Sequence, residues 1–519
     1  MKPIDMFPES MNQCPKHAIR FPDRVGGKLF RPNWRAVKRS EGGSYIFSDC
    51  RCGKCYDMIT TEAERISFPE KGRAALPEQA YRMERDAMID AQWIRDRKTF
   101  YNDHLRDVIL KYWLDRADDE YGGFFTCYNN TGDRLVSTDK FVWSQGRLVW
   151  SYAKLAGADA VELDDATRRR CAALAAQGAD FLLQHCLLTD GNCAFRLDRQ
   201  GNPKEHWPGS GYAISTFADC FVMMGLAAYA GLSGDQAKMD TALRMFRAVT
   251  VKLRDGVFRT APTVVPAGWR IHAAPMIVLN TGQELYEALR ALGRNDEAGE
   301  VEKVCLEAML DIVNRFRTDS GIVLESLDAA YQPLDDLCGR YLNPGHTNES
   351  MWFVIREAAR RDMTDIVAKA ARTVQVVSEK AWDGEYGGMM YYLDRDGGAP
   401  RGPVSAATRA TAENIGRDWD NKLWWPHLET VYAALLCYSL TGSNAFFKEY
   451  ERYHDYTFRV FPNPDPQVGE WIQIRDRQGR PGNPDVGGRL PVKDPYHTMR
   501  GLLLLIELLD KMLEEKSGH

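Results

Sequence analysis

Tyr121-Gly122-Gly123-Phe124-Phe125 returns later in the chain as Tyr386-Gly387-Gly388-Met389-Met390, and this repeated turn decides how the rest folds. Paired glycines end one periodic segment, and the apolar pair after them starts a short extended piece. The second copy runs on through Tyr391-Tyr392-Leu393-Asp394-Arg395-Asp396-Gly397. The same strand-plus-turn half stands at Phe195-Arg196-Leu197-Asp198-Arg199-Gln200-Gly201 and at Gly469 to Gly479. Each Asp-Arg-x-Gly predicts a hairpin tip in which glycine supplies the positive φ angle.

Between these turns apolar residues recur at helical spacing over 83–98, 100–113, 166–187, 215–231, 237–253, 276–292, 296–316, 348–361, 363–380, 426–441, 445–461 and 497–515. That is about twelve helices, enough for six antiparallel helical hairpins. Six such pairs close into a toroid whose inner helices bring their first turns to one mouth. The expected fold is therefore an all-α (α/α)6 barrel with short β-hairpins at that mouth. An open helical solenoid would need repeats of fixed period, and the pairs here differ in sequence.

The barrel is expected to fill residues 81–519. Residues 1–80 are rich in Pro, Gly, Arg and Lys and lack helical periodicity, so they form an irregular, loop-rich extension. Within it Cys50, Cys52 and Cys55 make a C-x-C-x2-C cluster, with Cys14 and His17 upstream as further ligand types. Zinc needs four converging soft ligands and usually takes paired C-x2-C spacing, so free thiols are expected here and not metal. The other eight cysteines are scattered singly among apolar neighbours, as reduced buried thiols are.

Hydrophobic residues at 44% and charged residues at 27% give ample core for one large domain. A net charge of −5 without a face-long Lys/Arg cluster excludes a nucleic-acid scaffold. No run approaches the roughly 18 continuous apolar residues of a membrane span, and the amino terminus lacks the apolar core of a signal peptide. A cytoplasmic protein without a membrane partner is expected.

Three stretches carry the residue types of catalysis. Asn343-Pro344-Gly345-His346-Thr347-Asn348-Glu349 is a turn running into a helix, which presents His346 at its start and places Glu349 three residues on, beside the ring, where it could fix the tautomer and raise its basicity. Pro495-Tyr496-His497 opens the last helix in the same way. Lys140 to Trp150 follows the first hairpin, starts a helix and holds Arg147 between apolar and aromatic neighbours, a rigid donor fork for a sugar oxygen. Two imidazoles on opposite sides of a small substrate make a two-base device: one takes a proton from a carbon next to a carbonyl and the other returns it on the opposite face. The enediolate between them needs a fixed cation such as Arg147. Asp418 to Glu429, with Trp424 and Trp425, either lines a carbohydrate pocket or plugs the barrel. His427 within it is expected to play an ordinary hydrogen-bonding role.

The strings Tyr-Gly-Gly-Phe-Phe-Thr-Cys, Lys-Phe-Val-Trp-Ser-Gln-Gly-Arg, Asn-Pro-Gly-His-Thr-Asn-Glu-Ser-Met-Trp, Lys-Leu-Trp-Trp-Pro and the late Tyr-His-Thr resemble the N-acylglucosamine 2-epimerase family, which includes mannose isomerases and cellobiose 2-epimerases. The resemblance runs from about residue 85 to 515. It implies an (α/α)6 barrel that opens a sugar ring and shifts a proton at carbon 2 without a redox cofactor. It places the family's arginine on Arg147, its catalytic histidines on His346 and His497, and its supporting glutamate on Glu349. Lys140, Trp143, Gln145, Asp219, Trp424 and Trp425 are the expected sugar contacts. The last histidine stands in Asp494-Pro495-Tyr496-His497, where the family usually has a Phe-His-Val-Pro-like string. Cellobiose epimerases and mannose isomerases carry a further histidine in a stretch aligned with Ser215 to Phe221. None occurs there, which places this chain nearer the N-acyl-sugar branch. ATP activates some members; no glycine-rich phosphate loop is present, so nucleotide would act only as an effector. Members are commonly homodimers.

The expected activity is interconversion of an N-acylglucosamine and an N-acylmannosamine. An aldose–ketose isomerase on the same site is the nearest alternative. A glycoside hydrolase would need two facing carboxylates, drawn from Asp139, Glu349, Asp418 and Asp420, and would leave the histidines idle.

Overall fold

The computed structural model describes residues 89–261, 265–482 and 492–517, with short strands at 24–25, 28–29, 36–39 and 45–47. Two compact units divide the chain, Met1–Ala75 and Leu76–His519. In the first, Arg24–Val25 pairs antiparallel with Lys28–Leu29, and Ala36–Arg39 with Tyr45–Phe47. Cys14, His17, Cys50, Cys52 and Cys55 lie outside the described residues.

The second unit contains twelve long helices among the described residues: α1 (91–113), α2 (Val142–Gly157), α3 (165–186), α4 (Thr216–Ser233), α5 (Gln236–Asp255), α6 (Ala273–Ala291), α7 (295–316), α8 (Pro344–Arg360), α9 (Thr364–Ala381), α10 (Trp424–Thr441), α11 (Asn444–Val460) and α12 (Tyr496–Ser517). The even-numbered helices contact one another in the order α2, α4, α6, α8, α10, α12 and back to α2, which closes a ring. Each odd-numbered helix packs on the outside of an even one, with α1 against α12. This is the (α/α)6 barrel. The expected pair of helices at 83–98 and 100–113 is one rod running through a π-type turn at Leu105–Leu110, and α2 makes up the number.

Burial explains which helices form the inner ring. α10 is buried from Trp425 through Tyr438 on every side, whereas α9 and α11 bury one stripe. By length and composition α4 could cross a membrane, with a mean hydropathy of 1.3, but two-thirds of that window is buried inside the barrel. Its apolar character is that of an inner stave.

Short antiparallel ladders latch the starts of four inner helices. Lys140–Phe141 pairs with Arg196–Leu197, Arg270–Ile271 with Ser326–Leu327, Tyr341–Leu342 with Leu393–Asp394, and Lys422–Leu423 with Ile474–Arg475. The hairpin tips at Gly201, Gly397 and Gly479 have positive φ as expected. In the remaining hairpin the same place is held by Tyr331 at φ 60°, a backbone setting that L side chains rarely adopt.

The Tyr-Gly-Gly turns are built on two matching buried ion pairs. Lys140 Nζ donates to Asp118 (3.0 Å) and to the carbonyls of Gly122 and Arg199, while Arg199 closes on the same carboxylate. Lys422 Nζ donates to Asp383 (3.0 Å), which Arg477 also holds. Five residues after each lysine, a side chain in the helix's first turn takes a backbone amide from the turn: Gln145 Oε1 accepts from Phe124 (2.8 Å) and His427 Nε2 from Met389 (2.7 Å). Asp219, at the same place in α4, accepts from the amide of Cys193 (2.6 Å). Lys140, Gln145 and Asp219 are buried and bonded to the turn backbone, Lys140 also to Asp118 and Asp219 near Lys252, so they fasten the scaffold and are not placed as the sugar contacts expected of them.

This equivalence yields a stability prediction. His427 is buried, which lowers its pKa to about 3 despite its bond to the Leu423 carbonyl. Below an unfolded pKa of about 6.5 the unfolded chain binds a proton the fold refuses, so stability falls with pH at up to ~1.4 kcal/mol per unit. His427→Gln, which copies Gln145, keeps the acceptor for Met389 and removes this titration. We expect it to be less stable by ~1 kcal/mol at pH 8, through loss of the ring stacked on Tyr456, and to recover or overtake the parent at pH 5. Urea unfolding at both pH values reads this out; an unchanged difference would refute it.

Candidate active site

The first two turns of the inner helices converge at the mouth. Asn343 caps α8 by accepting the amide of His346 (3.2 Å), with Pro344 preset for the first turn. His346 is thereby its third residue, its side chain 34% exposed, and His497 is the second residue of α12, at 9%. Trp425, second in α10, packs against both. Its ring centroid is 5.4 Å from that of His346 and 5.2 Å from that of His497. The two imidazole centroids can be no farther apart than those contacts laid end to end.

Each imidazole has its own carboxylate. His346 Nδ1 stands 3.1 Å from Glu325 Oε2, and His497 Nδ1 stands 2.8 Å from Glu429 Oε1. Both rings are thus held with the proton on Nδ1, leaving Nε2 for chemistry. Their proton affinities diverge. Burial works against charge on His346, but Glu325, aided by Glu349, overcomes it and its pKa is raised. Burial also disfavours charge on His497; Glu349 opposes this, Arg500 and Arg147 reinforce it, and the pKa falls to about 3. Glu325 is pulled down to about 2, since His346 and His272 outweigh its burial. Neighbouring groups with opposed shifts are the arrangement that assigns acid and base roles.

Arg500, in the next turn of α12, holds the floor together. Its Nη2 donates to Glu429 (2.6 Å) and to Glu349, its Nη1 to the Tyr496 hydroxyl (2.9 Å), and its guanidinium lies 5.2 Å from the Trp352 ring. Trp352 Nε1 donates to the other oxygen of Glu429 (2.7 Å). The ligand-type atoms of Glu349, Glu429 and His497 lie within 4.8 Å of one another, but the cation these carboxylates attract is supplied by Arg500. Beneath the floor, a cavity of about 160 Å³ lies between Trp150, Trp352 and Arg500 and the ion pairs of Lys154, Glu287 and Arg356. It is not lined by the histidines.

Arg147 projects from the second turn of α2. Gly146 lets α2 approach α4 so closely that a Cβ there would stand 2.3 Å from the Phe221 carbonyl. This contact brings the Phe221 ring under the guanidinium at 4.0 Å, with Tyr496 at 4.9 Å, and Nη1 donates to Asp494 (2.8 Å). Trp143 is half-buried 5.9 Å from the same group.

The sequence model of the N-acylglucosamine 2-epimerase (GlcNAc 2-epimerase) family matches residues 123–501. The chain belongs to this family. It is 31% identical over 415 residues to N-acylglucosamine 2-epimerase of Bos taurus, covering 78% of this chain and 90% of that protein. To that of Homo sapiens it is 30% identical over 418 residues, covering 78% and 89%. Among solved structures, a cellobiose 2-epimerase from Bacillus thermoamylovorans superposes with a TM-score of 0.62 at 16% identity, covering 80% of this chain and 99% of that one. A D-mannose isomerase does so with 0.58 at 18%, covering 79% and 97%. These share the fold. The enzyme is a carbohydrate epimerase or isomerase by family.

His346, His497, Arg147, Trp424 and Trp425 gather as expected of the family, Trp424 lying 6.4 Å from His497. Glu349 is in the site and helps raise the pKa of His346, but it does not hold the ring. Three residues along the helix carry it to the Arg500 side, and His346 is held by Glu325 instead. Sequence reading missed Glu325, His272, Glu429 and Arg500. His272 stands immediately before α6 and is buried, with Nε2 2.9 Å from Ser350 Oγ and Nδ1 3.7 Å from Glu325. A glutamate inside the apolar run Ile322-Val323-Leu324-Glu325 was the available signal, since a carboxylate in such a strand needs a partner.

Proposed function

We propose that the enzyme interconverts N-acyl-D-glucosamine and N-acyl-D-mannosamine by moving the carbon-2 proton of the ring-opened sugar between His497 and His346. The observation that carries this reading is the pair of imidazoles packed against one ring, Trp425, with opposed proton affinities. His497, kept neutral and oriented by Glu429, removes the proton from one face. His346, charged beside Glu325, delivers one to the other. Arg147 faces the oxygen of the aldehyde and holds the enolate formed at carbon 1, where a preplaced cation counts most. Each step uses side chains of this chain alone. The mammalian relatives support the N-acylated substrate.

Incubation in deuterated buffer with N-acetylmannosamine, mannose or cellobiose, each followed by proton NMR, tests substrate and chemistry together. N-acetylmannosamine should yield N-acetylglucosamine carrying deuterium at carbon 2, with the other two sugars unchanged. Fructose from mannose would replace this reading with an isomerase, and an epimer of cellobiose would replace the substrate.

A further inference from the structure

Asp494 lies in the string that departs from the usual family pattern before the last histidine, and the mechanism above gives it nothing to do. Its carboxylate is buried and uses both oxygens. Oδ2 accepts from Arg147 Nη1 at 2.8 Å, and Oδ1 accepts from the backbone amide of Tyr496 at 2.8 Å, the first residue of α12. Gln473 fixes its backbone on both sides, donating to the Asp494 carbonyl (3.1 Å) and accepting from its amide (3.4 Å). One carboxylate therefore ties the guanidinium on α2 to the helix start that carries His497. These two helices meet where the barrel closes on itself, so no short loop sets their spacing.

Resting on the two-histidine reading, we propose that Asp494 is a positioning residue for the reaction: it fixes Arg147 relative to His497, so that the oxyanion donor and the base meet the same sugar in register. Proton transfer needs the reacting atoms within a few tenths of an ångström of their best separation, and a misplacement of about 1 Å can cost ~100-fold. Arg147 has no second carboxylate partner among the described residues, and its other side-chain contacts are the rings of Phe221, Tyr496 and Trp143.

Asp494→Asn separates this role from simple capping, because asparagine caps a helix as well as aspartate does but offers arginine no charge. We expect its melting temperature to stay within about 2 °C of the parent, its kcat to fall ~10- to 100-fold, and its KM to change less than threefold. The acid limb of the pH profile should also move to lower pH, since a negative neighbour that favours the His497 imidazolium is gone and Arg147 is left uncompensated. Unchanged kcat and pH profile in Asp494→Asn would overturn the proposal, and so would a loss restored by Asp494→Ser, which caps but cannot hold Arg147. His497→Asn run in parallel tells the failures apart: if it still epimerises, the two-histidine reading falls; if it is dead while Asp494→Asn is normal, only the positioning role falls.

Discussion

His346→Asn and His497→Asn should each lose net epimerisation by ~10²- to 10⁴-fold, the usual weight of one positioned acid or base, yet each should still exchange the carbon-2 proton of one epimer. Asparagine keeps a donor toward Glu325 or Glu429, so the fold and the partner carboxylate are little disturbed. The histidine that remains can deprotonate the epimer whose C–H faces it and return solvent deuterium to the same face. The two variants should therefore label opposite epimers. Proton NMR in deuterated buffer, started from each pure epimer, reads this directly. Labelling of the same epimer by both variants would mean that one base does all the carbon chemistry. The parent's pH profile follows from the same pair. Both directions of reaction use the pair carrying one proton in total, so activity should fail in acid as His497 takes up a second proton, and in alkali as His346 loses its own. With His497 lowered and His346 raised, that window is wide.

The barrel was legible because its evidence is local and repeated. Helical periodicity and glycine-bearing tips recur often enough that splitting α1 in two, and leaving α2 out of the count although its start was read, left the number and the closure intact. The hairpin that supplies Glu325 was harder to see, since Tyr331 stands where its three counterparts have glycine. The site's histidines could be found because imidazoles at helix starts are distinctive. Their partners could not, because pairing in a toroid is set by neighbours across the ring. Glu349 is near His346 in sequence, but the carboxylate that reaches the ring comes from a ladder 21 positions upstream. Lys140, Gln145 and Asp219 were misread for the converse reason: polar residues at the mouth suggest sugar, and only the structure reveals the buried amides and carboxylates they satisfy.

Arg500→Met should damage the enzyme more than loss of either histidine, because it removes the cation on which two buried carboxylates depend. Glu349 and Glu429 both accept from Arg500, with side chains 9% and 2% exposed. Breaking a buried pair from one side usually costs 3–5 kcal/mol, chiefly for the charge left behind, and here two like charges would be left together. The effect on chemistry follows from the same imbalance. His497 is now kept neutral by burial with help from Arg500 and Arg147; without Arg500 its carboxylate neighbours favour the imidazolium, which cannot act as a base. Urea unfolding should show a loss of roughly 3–5 kcal/mol, and the acid limb of kcat should move to higher pH, opposite to the shift expected of Asp494→Asn. Adding Glu349→Gln to Arg500→Met should restore much of the stability by removing one orphaned charge, while kcat stays low because Glu429 still lacks its counter-charge beside the base. A single variant within 1 kcal/mol of the parent, with its acid limb unmoved, would show that the two carboxylates do not depend on Arg500 and that His497 owes its neutrality to burial alone.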